Sequence, residues 1–171
     1  MKRNFIIFAI SAILSLSTSA FSQQSKQDVC IGWQGRIDDT LSSTYLPIYV
    51  EPKDFSEQEI FTAIECLLKL EGNKNKARFS GAMRTDISSV PQFTAVEVSA
   101  LWYNSYLYYQ KFDHGGLIVL MDSSGEFNSP NAVKKAYKSY RKWLIKVKKI
   151  GLTKAREQKL DPLAYTKVKW W

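Results

Sequence analysis

Apolar and polar positions follow the 3.6-residue period of an α-helix in three long segments of the chain. The first segment begins at Ser56, where Ser56 and Glu59 match the capping-box pattern of a helix start. Gly72 is a typical helix end. The apolar positions between them recur on one helical face: Ile60, Phe61, Ile64, Leu67, Leu68 and Leu70. The pattern therefore predicts an amphipathic helix with one buried face.

The second segment is predicted to begin at Pro91, and from Phe93 to Phe112 it is apolar on nearly every side. Pro91 is favourable in a first helical turn because its missing N–H is not needed there. A helix that is apolar all round lies either in a protein core or in a membrane. Glu97, Asn104 and several tyrosine hydroxyls favour the core, where such groups find hydrogen-bond partners. We therefore expect a central, buried helix.

The third segment begins at Ser129 and Pro130, a cap residue followed by a first-turn proline. Its apolar stripe consists of Val133, Tyr137, Tyr140, Leu144 and Val147, widened by Ala136 and Trp143. Gly151 interrupts the pattern, and a shorter helix is predicted from Thr153 to Leu160. The C-terminal part of the chain is therefore expected to be helical.

The other segments carry weaker patterns. Residues 23–50 are interpreted as an irregular arm with a short helix near Asp38, and residues 73–89 as a loop. Leu117 to Met121 is too short for periodicity to separate a strand from a helical turn. The predicted fold is all-α: a small bundle of about four helices around a central apolar helix, with an irregular N-terminal arm.

Residues 1–22 match a secretory signal peptide. Lys2 and Arg3 precede a short apolar run, and small residues follow near Ala20. The apolar run is shorter than the ~20 residues that a membrane span needs. Cleavage before Phe21 or before Gln23 fits, and the second leaves a polar terminus. The short, serine-rich leader is typical of bacteria, so the expected destination is the periplasm or the exterior.

Cys30 and Cys66 are the two cysteines of the chain. In an oxidising compartment two cysteines usually pair, which predicts a disulfide between the arm and the first helix. Closing that loop would stabilise the fold by about 3–4 kcal/mol. The alternative, a buried thiol in the helix and a free thiol near the terminus, stays open at this point.

The predicted single domain, residues 23–171, consists of an arm (23–50), an acidic core half (51–129) and a basic C-terminal helical half (130–171). The whole chain has 24 basic and 16 acidic residues and a net charge of +8, or +6 without residues 1–22. Residues 23–129, which contain the arm and an acidic core half (51–129), hold 9 basic and 14 acidic residues. Residues 130–171 hold 13 basic and 2 acidic residues. Such an asymmetry can steer a charged partner.

Five basic residues of the third helix lie away from its apolar stripe and form what we call the basic row: Lys134, Lys138, Arg141, Lys142 and Lys149. We expect the basic row to be exposed and to contact a protein partner with an acidic surface. The alternative is a solvated face that only keeps the protein soluble. The aromatic content, 13%, already excludes a disordered chain.

No catalytic, metal or cofactor motif is found. His114 is the single histidine, and the chain has no Gly-x-Ser-x-Gly, His-Glu-x-x-His or Cys-x-x-Cys pattern. Residues 122–126 resemble a calcium loop loosely but are better interpreted as a turn. Glu97, inside the apolar helix, is either a catalytic carboxylate or the ion-pair partner of a base such as Arg78 or Arg84. We predict no metal, no cofactor and no enzymatic activity.

The sequence therefore predicts an exported, non-enzymatic binding protein. In profile, though not in any motif, it resembles bacterial immunity proteins that block toxins or cell-wall-degrading effectors in the periplasm. The alternatives are a carboxylate-dependent envelope-acting enzyme, similar to a peptidoglycan hydrolase, and a basic envelope-binding structural protein. Nucleic acid is not an expected partner, because no binding motif appears. Membrane-surface contact is less favoured, since the aromatic residues of the stripe are expected to pack on the central helix.

Overall fold

A computed structural model describes residues 30, 33–37, 44–49, 52–78, 93–110 and 118–171. The α-helices in these ranges are α1 (Glu57–Leu68), α2 (Val96–Tyr109), α3 (Pro130–Ile150) and α4 (Leu152–Glu157), and a 3-10 turn covers Pro52–Asp54. The strands are β1 (Trp33–Ile37), β2 (Thr44–Tyr49), β3 (Lys76–Arg78), β4 (Phe93–Ala95), β5 (Leu120–Met121) and β6 (Lys169–Trp170). The protein is mainly helical, as predicted. Residues 1–22, which are predicted to be a signal peptide, lie outside the described residues, as do Arg84 and His114.

Helix α1 starts where its cap residues predict. The Ser56 side chain accepts a hydrogen bond from the Glu59 N–H, and the Glu59 carboxylate accepts one from the Ser56 N–H at 2.8 Å. The capping box is therefore present. The helix itself ends at Leu68, and a turn continues to Gly72, whose φ of 85° is the left-handed conformation that glycine tolerates best.

The predicted start of α2 near Pro91 is wrong, because β4 precedes the helix, which begins only at Val96. The helix has no side-chain cap. Its first donors instead bind the loop after α1: the Val96 N–H donates to the Asn75 carbonyl at 2.9 Å, and the Glu97 N–H to the Asn73 carbonyl at 3.1 Å. A distant segment thus satisfies the orphan N–H groups that every helix start carries.

Helix α2 is buried along almost its whole length. Every residue from Val96 to Tyr108 is buried, and α2 contacts α1, α3 and α4. The guanidinium of Arg156, in α4, donates to the carbonyls of Tyr108 at 2.6 Å and Leu107 at 3.4 Å, two of the last carbonyls of α2. A cation at this end also interacts favourably with the helix dipole.

Helix α3 begins where the pattern predicts, whereas α4 ends at Glu157, before the predicted Leu160. The Ser129 side chain accepts from the Ala132 N–H at 3.1 Å, and Pro130 occupies the first turn. The whole apolar stripe of α3 is buried. Gly151, with a φ of 86°, separates the two helices.

The interpretation of residues 23–50 as an irregular arm is wrong for the parts that the structure describes. β1 and β2 form an antiparallel pair with Trp33 opposite Tyr49. β2 continues into a four-stranded sheet of order β1-β2-β3-β4, so residues 76–78 are a strand and not loop. The sheet makes the all-α assignment too narrow. The segment near Asp38 lies outside the described residues.

The open question at Leu117–Met121 is answered for its C-terminal end. Leu120 and Met121 form β5, which pairs antiparallel with β6, so that Leu120 lies opposite Trp170. The Trp171 N–H also donates to the Val119 carbonyl at 3.0 Å. The C-terminus is therefore held against the segment that precedes α3.

The predicted disulfide is confirmed. Cys30 and Cys66 are bonded, with their Cα atoms 5.4 Å apart, and the sequence separation is 36 residues. Cys30 is buried in the same apolar core as α1 and α2. The bond ties the N-terminal region to α1.

Candidate functional site

The basic row lies on the outer side of α3. All five of its residues are classed as exposed, whereas the apolar stripe of the same helix is buried. The separation follows from the helical period, which places Lys134, Lys138, Lys142 and Lys149 opposite the stripe. These four residues, which we call the lysine row, form no ion pair with another described residue.

Arg141 differs from the rest of the basic row. Its guanidinium pairs with the Glu71 carboxylate at 2.6 Å and donates to the Leu68 carbonyl at 3.2 Å. It also lies over the Tyr137 ring, 5.5 Å from the centroid. Arg141 therefore fastens α3 to the end of α1, and its charge is largely committed within the molecule.

Lys148 has a similar internal role. It pairs with the Glu65 carboxylate of α1 and lies 5.7 Å from the centroid of the Phe61 ring. The basic residues of α3 are thus divided by position. Arg141 and Lys148 pair with Glu71, in the turn after α1, and Glu65, in α1, whereas the lysine row has no such partner among the described residues.

Ile145 lies among these charges and was missed by the sequence analysis. Its side chain is 61% exposed. Lys142 precedes it by three residues and Lys149 follows it by four, which makes both its neighbours on the helix surface. The exposure of Ile145 could have been predicted from the sequence, because position 145 is about 100° around the helix from the stripe residue Leu144. An apolar residue there is not required by the core.

A groove runs beside Ile145 between α1 and α3. Its volume is about 810 Å³. It is lined by Thr62, Glu65, Cys66, Leu68, Lys69, Arg141, Leu144 and Ile145. The groove has an apolar floor and is bordered by the internal ion pairs of Arg141 and Lys148, so it extends the exposed apolar surface of Ile145 toward α1.

A second, smaller depression lies on the opposite flank of α3, and we call it the lysine cleft. Its volume is about 320 Å³. Lys142 and Lys146 come from α3, and Lys159 and Tyr165 come from the segment after α4. The remaining lining residues are Trp143, Leu160, Asp161 and Ala164.

Glu97, the acid that the sequence analysis singled out, is committed to structure. It is buried, pairs with Lys74, and accepts a hydrogen bond from the Gly72 N–H at 2.8 Å. In the described residues its ion-pair partner is Lys74. Arg84 and the side chain of Arg78, the bases that the sequence analysis suggested, lie outside the described part of the structure. Both carboxylate oxygens hold the loop after α1 against the start of α2, which favours the ion-pair interpretation.

The Asp122 segment is a turn, as predicted. The Asp122 carboxylate accepts from the Ser124 N–H at 3.0 Å and from its hydroxyl at 2.5 Å, and these bonds lower the pKa of Asp122. Gly125 has a φ of 76°. In the described part of the chain, no group of three or more His, Cys, Asp and Glu residues is placed to hold a metal ion.

Comparison of the chain with protein-family models, curated proteins and solved structures finds no match. No helix within the described ranges is long and apolar enough to cross a membrane. The function must therefore be argued from the surface of the molecule itself.

Proposed function

We propose that this chain is an exported, non-enzymatic binding protein that engages an acidic protein partner through the lysine row and Ile145. The helices, as a small bundle around α2, would serve as the scaffold that presents this surface. The observation that carries the proposal is that the exposed Ile145 shares one face of α3 with four lysines that have no intramolecular ion pair in the described residues.

The distribution of ion pairs supports a binding role over simple solvation. Arg141 and Lys148 are paired with acids of α1 and of the turn that follows it, whereas the lysine row forms no ion pair with a described residue. Protein interfaces commonly combine an apolar centre with a polar rim. Ile145 and the adjoining groove supply the apolar centre, and the lysines supply a rim that would attract carboxylates and steer association.

Export is proposed on two grounds. The first is the signal-peptide pattern of residues 1–22. The second is the disulfide between Cys30 and Cys66, since such bonds persist in oxidising compartments. A small exported protein with a basic binding face fits an immunity or inhibitor protein that neutralises a toxin or a cell-wall-degrading effector in the periplasm.

The enzymatic alternative receives no support from the described residues. A glycosidase needs two carboxyl groups on either side of a scissile bond. Glu97 is buried and bound on both oxygens, so it does not face a substrate site. The remaining alternative, a basic envelope-binding structural protein, is an outcome of the experiment below.

The experiment compares the tagged protein with two triple variants in cross-linking and capture from periplasmic extract. The row variant carries Lys134→Glu, Lys138→Glu and Lys149→Glu. The control variant carries Lys53→Glu, Lys154→Glu and Lys167→Glu, which are exposed lysines elsewhere and give the same change in net charge.

The wild-type protein and the control variant should capture the same acidic protein, and the row variant should lose it. Capture that both variants lose equally, or that neither loses, would overturn the proposal. Retention on purified envelope without a protein partner would favour the structural alternative, and hydrolysis of peptidoglycan would favour the enzymatic one.

A further inference from the structure

The lysine cleft concentrates positive charge on an apolar floor. Lys142, Lys146 and Lys159 line it, and no described residue forms an ion pair with any of them. The single acid in the lining, Asp161, uses one carboxylate oxygen to accept the Leu163 N–H at 2.8 Å. Three ammonium groups against one carboxylate leave the cleft electropositive, which favours an anion.

The floor and one wall of the cleft are apolar. Trp143 is buried, and its indole N–H is already bound to the Leu160 carbonyl at 3.3 Å, so its ring offers carbon surface. Tyr165, by contrast, is 82% exposed. An aromatic ring this exposed presents a face on which another ring can stack. A volume of about 320 Å³ is at the lower end of small-molecule sites.

Lys159 occupies this cleft against a backbone preference. Its φ is 52°, the left-handed conformation. Its N–H donates to the Arg156 carbonyl at 2.9 Å, and the Leu160 N–H donates to the Ala155 carbonyl at 3.0 Å, which is the Schellman pattern at the end of α4. Glycine is the usual residue at this position because it has no Cβ to strain. The lysine therefore strains the backbone at this position, and its side chain lies at the rim of the cleft.

We infer that the lysine cleft binds an organic anion, namely a phosphate carried on a single ring. The ammonium groups of Lys142, Lys146 and Lys159 would hold the charged group, and the ring would pack on Tyr165 above the apolar floor. The ring can be a sugar or an aromatic group, since both offer an apolar face. This site shares Lys142 with the partner surface proposed above, and its other lining residues lie outside that surface.

The test titrates the purified protein with glucose 1-phosphate, phenyl phosphate, inorganic phosphate and glucose, followed by two-dimensional amide NMR. At least one ring phosphate should shift the amide signals of residues 159–165. It should also bind about tenfold more tightly than inorganic phosphate, and glucose should cause no shifts. The two ring phosphates identify which kind of ring is preferred. Absence of these shifts with both, or equal affinity for inorganic phosphate, overturns the inference.

Lys159→Gly is the decisive variant, because function and stability should change in opposite directions. Removing the strained lysine should raise the melting temperature by about 2–4 °C. It should also weaken binding of the ring phosphate about three- to fivefold, since one ammonium contact is lost. A Lys159→Gly protein that binds like the wild type would show that Lys159 has no role in the site.

A second pair of variants keeps the test independent of Lys159. Lys142→Gln with Lys146→Gln should weaken binding about tenfold. Lys135→Gln with Lys154→Gln removes the same charge from exposed positions outside both the cleft and the lysine row, and should leave binding nearly unchanged. Equal losses in both pairs would mean that the general positive charge of this half of the protein, and not the cleft, attracts the anion.

Discussion

Arg141 and Lys138 are three residues apart on the same helix and both are exposed, yet they have different roles. Lys138 extends into solvent without an ion pair in the described residues, whereas Arg141 joins α3 to α1 through Glu71 and Leu68. Arg141→Ala should therefore lower the free energy of unfolding by about 1–2 kcal/mol, since part of the ion pair is screened by solvent. Lys138→Ala should change it by less than about 0.5 kcal/mol.

Urea unfolding of the two alanine variants measures this difference. Equal stabilities would show that the contacts of Arg141 contribute nothing and that it belongs functionally with the lysine row.

The buried tyrosines predict a loss of stability at high pH. Burial raises the pKa of Tyr140 above its ordinary value of 10.0. The folded protein thus keeps this proton to a higher pH than the unfolded chain. The contribution of protonated Tyr140 to the free energy of unfolding is complete below pH 10. It is lost as the pH rises further, by about 1.4 kcal/mol per pH unit for one such group.

Tyr140→Phe should make this decline shallower. The Tyr140→Phe variant will be less stable than the wild type already below pH 10, because it lacks the Tyr140 hydroxyl. That hydroxyl is hydrogen-bonded to Ser105 and accepts from the Trp170 indole at 3.2 Å. The slope between pH 10 and 11, obtained from urea unfolding, is therefore the quantity to compare. An unchanged slope would contradict the linkage.

At the scale of elements, the starts of α1 and α3 could be predicted because local residues determine them. Ser56 with Glu59, and Ser129 with Pro130, satisfy the first N–H groups from within a few positions of the chain. The start of α2 could not be predicted in this way. Its first donors are satisfied by Asn73 and Asn75, more than twenty residues earlier.

Strands β1 and β2 were missed because each contains a residue that is untypical of strands. β1 contains Gly35 and β2 contains Pro47, residues that are depleted in strands, and the two lie opposite each other. Only Thr44 and Tyr45 of β2 pair with β3, and Pro47 lies beyond them. The missing N–H of Pro47 therefore costs no backbone hydrogen bond to β3. The candidate site was predicted in part: the basic row was visible in the sequence, but the exposure of Ile145 and the cleft at Lys159 depend on how α1, α3 and the C-terminal segment pack.

Arg156 gives a prediction about the connection between α4 and α2. Arg156→Met keeps much of the aliphatic stem but removes the hydrogen bonds to the Leu107 and Tyr108 carbonyls. The free energy of unfolding should fall by about 2 kcal/mol. Amide exchange in the last turn of α2 should become faster.

Lys154→Met is the matched control, because Lys154 is an exposed residue of the same helix. If both methionine variants unfold and exchange alike, Arg156 does not cap α2.

For the whole molecule, the disulfide links the N-terminal region to the helical core. Replacing Cys30 and Cys66 by serine should lower the free energy of unfolding by about 3–4 kcal/mol, because the unfolded chain regains the freedom of a loop of 36 residues. Alkylation of the unreduced protein followed by mass spectrometry tests the pairing itself. Two alkylated thiols in protein taken from the periplasm would rule it out.

The distribution of charge over the whole molecule leads to the central claim, that the lysine row and Ile145 bind an acidic protein. Residues 130–171 hold 13 basic and 2 acidic residues, so the field of this half should draw an acidic partner toward α3. Such steering weakens as salt is added, because the Debye length is about 10 Å at 0.1 M and shorter at higher ionic strength.

The most direct test is the association rate with the captured partner, measured by stopped flow at low and at high salt. The row variant, with Lys134, Lys138 and Lys149 changed to Glu, should associate at least about tenfold more slowly than wild type at low salt, and the gap should narrow at high salt. The control variant, with Lys53, Lys154 and Lys167 changed to Glu, should stay close to wild type. A row variant that associates at the wild-type rate at low salt would contradict the account and leave the lysine row as a solvated face.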